Sequence, residues 1–354
     1  MSIYFSQRFA SLTPYTPGEQ PRDMQYVKLN TNESPYPPSS GVLAAVERES
    51  RLLQLYSDPQ CRDLVAMAAE KLGVAEEEII FTNGSDEVLN FAFMAFCDEQ
   101  TGAAFPDITY GFYEVFAQLN GVPYEKIPLK TDFSINVNDY IGLNKTIFIA
   151  NPNAPTGLAL PLSDIEKILA GNPDNIVVID EAYVDFGGES AVSLIHKYEN
   201  LLVTQTFSKS RSMAGARLGF GVGCKALIQD LNTVKYSTNP YNVNRLTLLL
   251  GEKTVEAEDY YREKCAAIQE TRSWTSDELK KLGFTVLPSK ANFLFAKSDR
   301  ISGQKLYEEL KRRGILVRHF TNPRITDFNR ITIGTPEQMQ IFINTVKEVL
   351  YENL

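Results

Sequence analysis

The chain has 354 residues, 44% of them hydrophobic and 22% charged, with a formal net charge of −9. That length and balance describe a globular protein with a full core, in two domains at roughly 100–200 residues each. The acidic excess argues against a nucleic-acid binder, which carries a basic face, and the longest apolar stretch, VLNFAFMAFC, is too short to span a bilayer.

Residues 1–28 are rich in Pro, Tyr and polar groups and read as an extended N-terminal arm. No basic segment followed by an apolar core opens the chain, so no signal peptide is expected and the expected location is the cytoplasm. From about 40 to 240, short apolar runs alternate with helix-like segments. The runs EIIFT (78–82), GAAF (102–105), TIFIA (146–150), NIVVID (175–180), LLVTQT (201–206) and GFGVG (219–223) are continuous, as in strands buried on both faces. Helices are expected over 42–55, 59–72, 86–97, 111–120 and 162–170. This rhythm predicts an α/β fold, a mostly parallel sheet between helices, over residues 29–245.

The texture then changes. Residues 253–283 are highly charged with sparse apolar positions, which predicts a long amphipathic helix. GFTVLP, NFLFAK, GILVRHF and NRITIGT read as strands, with helices at about 302–313 and from 336. Residues 246–354 are therefore expected to form a smaller α+β domain.

Cys61, Cys97, Cys224 and Cys265 are scattered with no C-x-x-C pair, so zinc and redox chemistry are not expected. His196 and His319 fall in no metal or triad pattern.

Ligands of open α/β sheets bind beyond the carboxyl ends of the strands, so the residues after each run matter most. Asn83-Gly84-Ser85-Asp86 opens a helix, either as a plain cap or as an anion cradle. Tyr110 sits in a Pro/Gly turn, packed there or lying over a flat ligand. NPNAPTG is a turn dense in amide side chains. Asp180 ends an apolar run and needs a partner, an internal cation or a protonated ring nitrogen. Lys209 follows the next run between two serines, as a structural ion-pair lysine or as an amine whose lowered pKa lets it attack a carbonyl. Arg217 offers a fork for phosphate. An anion cradle, an aromatic ring, a carboxylate, a phenol and an amine at one sheet edge suit pyridoxal 5′-phosphate (PLP).

In that order the motifs LTPYTPGEQ, KLNTNESPY, YSDPQ, TNGSDE, DITYGFY, NPNAPTG, VVIDEAY, TFSKSRSMAGARLGF, KANFLF and RITIGT resemble the fold-type I, class II aminotransferases along essentially the whole chain. The resemblance implies a PLP-dependent transaminase, a homodimer with shared active sites, working on a small-molecule amino donor and a keto-acid acceptor. Lys209 corresponds to the lysine that binds PLP as a Schiff base and moves the proton. Gly84, Ser85 and Asp86 correspond to the backbone cradle of the cofactor phosphate, joined by Ser208 and Arg217. Tyr56 corresponds to a tyrosine that reaches the phosphate from the neighbouring subunit. Tyr110 matches the ring stacked on the pyridine, Asp180 the partner of its nitrogen, and Tyr183 the donor to its phenolic oxygen.

The resemblance further implies that Arg330 grips a substrate anion, that Arg318 and Tyr15 contact a substrate phosphate, and that Asn32 lies beside the substrate. Arg324 adds a further cation in the same stretch. An aromatic amino-acid aminotransferase and a threonine-phosphate decarboxylase relative are alternatives within the class. A non-catalytic PLP-binding regulator is the alternative outside it, although the arm is too short for a DNA-binding module. The family's usual asparagine before PTG is Ala154 here, so Tyr183 acts alone on the phenolic oxygen, or Asn151, Asn153 or water fills in.

Overall fold

In the computed structural model, which describes residues 2, 4–10 and 12–352, two main sheets and ten helices carry the fold. Positions 1, 3 and 11 of the expected arm, and 353 and 354, lie outside the described residues. Strand β1 (Val27–Lys28) follows the arm. Then come α1 (Ser40–Ser50), α2 (Arg62–Leu72), β2 (Ile79–Thr82), α3 (Ser85–Phe96), β3 (Ala103–Pro106), α4 (Phe112–Asn120), β4 (Tyr124–Ile127), β5 (Thr146–Ala150), α5 (Leu162–Ala170), β6 (Val177–Asp180), β7 (Leu201–Thr206) and β8 (Gly219–Gly223).

The large sheet has seven strands in the order β2-β8-β7-β6-β5-β3-β4. All pairings are parallel except those of β8, which runs against both neighbours. Alternate residues enter different cores. Ile147, Ile149, Val177, Ile179, Leu201 and Val203 pack on one face, and Phe148, Ala150, Val178 and Leu202 on the other. Both faces are covered, which is why these strands read as unbroken apolar runs. All six runs expected in this region are strands. β4 was not anticipated. It is an edge strand whose sequence YEKI is half-exposed, so it lacks the apolar signature.

The helix expected over 42–55 ends at Ser50, and turns follow through Arg51–Gln54. Helices α6 (Lys225–Thr238) and α7 (Arg245–Glu256) precede the long α8 (Glu258–Lys281). Asn244 caps α7, its side chain accepting from Thr247 N at 2.9 Å.

Beyond α8, β9 (Phe284–Val286), β10 (Phe293–Ser298), α9 (Gly303–Arg312), β11 (Ile315–Leu316), β12 (Arg318–His319), β13 (Asn329–Thr332) and α10 (Pro336–Glu352) follow. The antiparallel sheet β12-β13-β10-β9 packs with α8, α9 and α10 around a separate core that includes Phe293, Phe342 and Ile343. β1 pairs with β11, which ties the start of the chain to this second core.

The described residues of the arm are mostly exposed, and a few contacts tie them down. Arg8 donates to Leu119 O at the end of α4, and the Tyr15 ring packs on Phe112 with centroids 4.4 Å apart. Glu19 binds Tyr307 and Lys311 on α9. Arg8 and Tyr15 thus contact the helices of the large sheet, and Glu19 those of the small one.

Candidate active site

Two adjoining cavities of about 180 and 450 Å³ open at the carboxyl ends of β5, β6 and β7. Thr31, Tyr110, Ala154, Tyr183 and Lys209 line both. The parity of the strands decides what reaches the smaller one. Asp180 shares its face of β6 with Val178, opposite Val177 and Ile179, so its carboxylate turns toward α4.

There the Tyr113 hydroxyl donates to Asp180 Oδ2 at 2.8 Å, and Thr204 on β7 donates to Oδ1 at 3.3 Å. No ion pair among the described residues reaches Asp180, so the internal salt bridge that the sequence left open is absent there. Burial raises the carboxyl from 3.8 to about 6, opposed by the Tyr113 hydrogen bond and reinforced by nearby Asp86. A buried carboxylate without a cation is costly. A protonated ring nitrogen on a bound cofactor would supply the missing charge.

Lys209 follows the end of β7. Its Nζ donates to Thr31 O at 3.3 Å and lies 5.9 Å from the centre of the Tyr183 ring. It has no carboxylate partner among the described residues. Burial is the main cause that lowers its pKa from 10.5 to about 8. Arg330 and Arg217 push the same way, against Asp86 and Glu33. The free amine is therefore about a tenth of the population at pH 7, far more than for an ordinary lysine.

The anion cradle lies at the start of α3. Gly84 has φ +78°, and a Cβ there would stand 2.6 Å from Arg217 Nη2. A Cβ at Gly219 on β8 would overlap the backbone nitrogen of Ser85. Two absent side chains thus bring a helix N-terminus, Arg217 and Ser208 together; Arg217 Nη1 donates to Ser208 Oγ at 3.3 Å. The Asp86 side chain turns to Arg217 Nη2 at 3.3 Å and accepts from the Tyr110 hydroxyl at 2.7 Å. An anionic phosphate would use the backbone and the cations, not this carboxylate.

The larger cavity holds Tyr15, Asn32, Arg318 and Arg330. Arg318 donates to Pro17 O and Thr16 O, both at 3.2 Å, and Arg330 Nη2 to Asn30 O at 3.0 Å. Neither arginine has an acidic partner among the described residues. Arg330 Nε is buried without a hydrogen bond, and its guanidinium lies over Phe293 and Phe320. Two uncompensated guanidinium groups around a cavity make a site for an anion.

The cavities thus unite Ser85, Asp86, Tyr110, Asp180, Tyr183, Ser208, Lys209 and Arg217 in one, and Tyr15, Asn32, Arg318 and Arg330 in the other, with Gly84 beneath Arg217. Tyr56 is not among them. It is 78% exposed and stacks on Tyr241. Arg324 does not line either cavity; it pairs with Asp107 and donates to Leu129 O at 2.8 Å. Asn151 and Asn153 do not fill in for Ala154. Asn151 exchanges hydrogen bonds with the Leu160 backbone, and Asn153 is spent on Thr109, Ile108 O and Thr156.

Tyr113 and Thr204 escaped the sequence reading. Tyr113 stands three residues after Tyr110 at the start of a helix, a spacing that puts both rings on one face and was available as a signal.

An amine, a buried carboxylate and an anion cradle facing one cavity fit pyridoxal 5′-phosphate. The family model described as aminotransferase class I and II matches residues 24–346. The chain is 49% identical to the histidinol-phosphate aminotransferase of Brachyspira hyodysenteriae over 352 residues, 99% of each chain. It is 47% identical to that of Clostridium acetobutylicum over 351 residues, covering 99% of this chain and all of the relative. In fold it matches the crystal structure of histidinol-phosphate aminotransferase from Sinorhizobium meliloti in complex with pyridoxal 5′-phosphate, with TM-score 0.90 at 20% identity over 100% and 99% of the two chains. An L-threonine-O-3-phosphate decarboxylase from Porphyromonas gingivalis shares the fold at TM-score 0.80 and 22% identity, over 92% and 99%.

Proposed function

This chain belongs to the class I and II aminotransferases, and from that premise we propose that it transfers the amino group of L-histidinol phosphate to 2-oxoglutarate, giving imidazole acetol phosphate and L-glutamate in histidine biosynthesis in the cytoplasm. The observation that carries the substrate is the pair Arg318 and Arg330, two cations without acids at the cavity next to Lys209. A phosphate dianion matches that charge. The near-full-length identity to histidinol-phosphate aminotransferases supports the same choice.

PLP, when bound, supplies an aldehyde that condenses with amines and a ring that takes up the electron pair of the substrate carbon. The residues of the chain do the rest. Ser85, Ser208, Arg217 and the backbone at Gly84 would hold the phosphate. Asp180, its carboxylate fixed by Tyr113 and Thr204, would keep a proton on the ring nitrogen. Tyr110 would cover the ring, and Tyr183 would donate to the phenolic oxygen.

Lys209 provides the amine that anchors the aldehyde. The same amine, when free, would be the base that takes and returns a proton at the substrate carbon. Its depressed pKa suits that task at neutral pH. Arg318, Arg330 and Tyr15 seat the substrate anion, and Asn32 stands at the boundary of the two cavities.

The working unit is a homodimer. Leu43 on α1 and Leu53, Leu55 and Tyr56 after it are exposed apolar side chains of the kind that a partner subunit would cover. Tyr56, which lines neither cavity and stacks on Tyr241, would complete the phosphate site of the second copy.

The test is to mix the yellow, PLP-loaded protein with L-histidinol phosphate, and separately with phenylalanine. Bleaching at low concentration by the phosphate ester alone, with glutamate formed on adding 2-oxoglutarate, is expected. Preferential bleaching by phenylalanine, or release of carbon dioxide from threonine phosphate, would overturn the substrate.

A further inference from the structure

The Tyr183 hydroxyl is met by one side chain, Asn32, whose Nδ2 donates to it at 2.9 Å. Asn32 is buried, with a left-handed backbone at φ 57°, and each of its other polar groups is tied to the small sheet. Its N–H donates to Thr332 Oγ1 at 3.0 Å, and the Thr332 hydroxyl returns its own proton to Asn32 Oδ1 at 2.9 Å. Its carbonyl accepts from Asn292 Nδ2 at 3.0 Å.

In this arrangement the Thr332 hydroxyl accepts from the Asn32 N–H and donates to Oδ1, and the Nδ2 end of the amide faces Tyr183. A phenol that accepts from Nδ2 keeps its own proton for another acceptor. That proton is left for a group in the cavity that Tyr183 lines, where Ala154 offers a methyl and the Asn151 and Asn153 amides are engaged elsewhere.

We propose that Asn32 is a positioning residue: through the Thr332–Asn32–Tyr183 chain it orients the Tyr183 hydroxyl as a donor to the cofactor's phenolic oxygen. The chain starts on β13, two residues from Arg330, and ends beside Lys209. The strand that carries the substrate-binding arginine therefore also sets the hydrogen bonding of the ring. This inference rests on the PLP reading above.

Its test is the pH titration of the visible band of PLP-loaded protein. A donor to the phenolic oxygen favours the deprotonated form of the bound chromophore, so losing it raises the midpoint. In Asn32→Asp the carboxylate cannot donate and instead accepts the Tyr183 proton. The midpoint is expected to rise by about one pH unit, as in Tyr183→Phe. On the Tyr183→Phe background the Asn32→Asp shift should shrink, because the part that passes through that hydroxyl is lost and only the direct effect of the added charge remains. Thr332→Val should move the midpoint the same way, and Thr332→Ser, which keeps the hydroxyl, should restore it.

An unchanged midpoint in Asn32→Asp and Thr332→Val, or an Asn32→Asp shift that persists in full on the Tyr183→Phe background, overturns the inference while leaving PLP binding intact. A wild-type protein that develops no visible band with PLP overturns the reading beneath it as well.

Discussion

Tyr113 and Asp180 lie 67 positions apart in the chain, yet the Tyr113 phenol donates to the Asp180 carboxylate at 2.8 Å inside the core between the large sheet and its helices. The bond holds a carboxylate in place where no cation compensates it. It also opposes the rise in pKa that burial imposes on Asp180.

Tyr113→Phe removes that donor and leaves the ring. The Asp180 carboxyl should then titrate higher by about one pH unit, read from its carbon-13 shift in cofactor-free protein. Stability should fall by about 1–3 kcal/mol through the loss of a hydrogen bond to a charged group. An unmoved titration would mean that Thr204 and the strand backbone suffice.

Asp180 should also make the cofactor-free protein sensitive to pH. Its folded pKa, about 6, lies above its ordinary 3.8. Between those values the folded state binds the proton that the unfolded chain has released. The stability it contributes is present below about 4 and lost as pH rises to about 6. Asp180→Asn should remove this loss, so that the cofactor-free variant gains about 2 kcal/mol over wild type at pH 7 in denaturant melts. The same variant should bind PLP more weakly. A variant less stable at pH 7 would refute the account.

The Lys209 amine is set partly by Arg330. Lys209 titrates at about 8, lowered by burial and then by that guanidinium. Combination of cofactor-free protein with PLP should speed up as pH rises through about 8, following the free amine. Arg330→Gln removes a nearby positive charge, so the midpoint should move upward, and KM for an anionic donor should rise by roughly 10–100-fold. PLP affinity should change far less. Lys209→Ala should lose the Schiff-base absorbance and lower turnover by orders of magnitude. Equal losses of substrate and cofactor in Arg330→Gln would contradict the division between the cavities.

Gly219 is the other lever on the cofactor site. Gly219→Ala sets a methyl against the Ser85 backbone nitrogen. The start of α3 must move, at a cost of about 1–3 kcal/mol. Weaker PLP binding and a lower melting temperature are expected together, in calorimetry and cofactor titration. Unchanged PLP affinity would show that the α3 terminus is not part of the cradle.

Six unbroken apolar runs identify the buried strands because a strand covered on both faces has no polar side to display. The residues after those runs, Ser85, Asp180 and Lys209 among them, mark the site because parallel strands deliver their ends to one edge. Those features are local and were legible in sequence. Strand β4 was not, since a half-exposed edge strand carries no such pattern. Nor were the bonds that Tyr113 and Thr204 make to Asp180, the seclusion of Arg324 on Asp107, or the amide chain from Thr332 to Tyr183, although the Tyr110–Tyr113 spacing did place Tyr113 near the site. Each of these joins residues far apart in the chain, and hydrogen-bond direction and charge pairing exist only once packing has set the distances. The chemical groups were written in the order of residues; which of them meet, and which way their protons point, was decided by the tertiary structure.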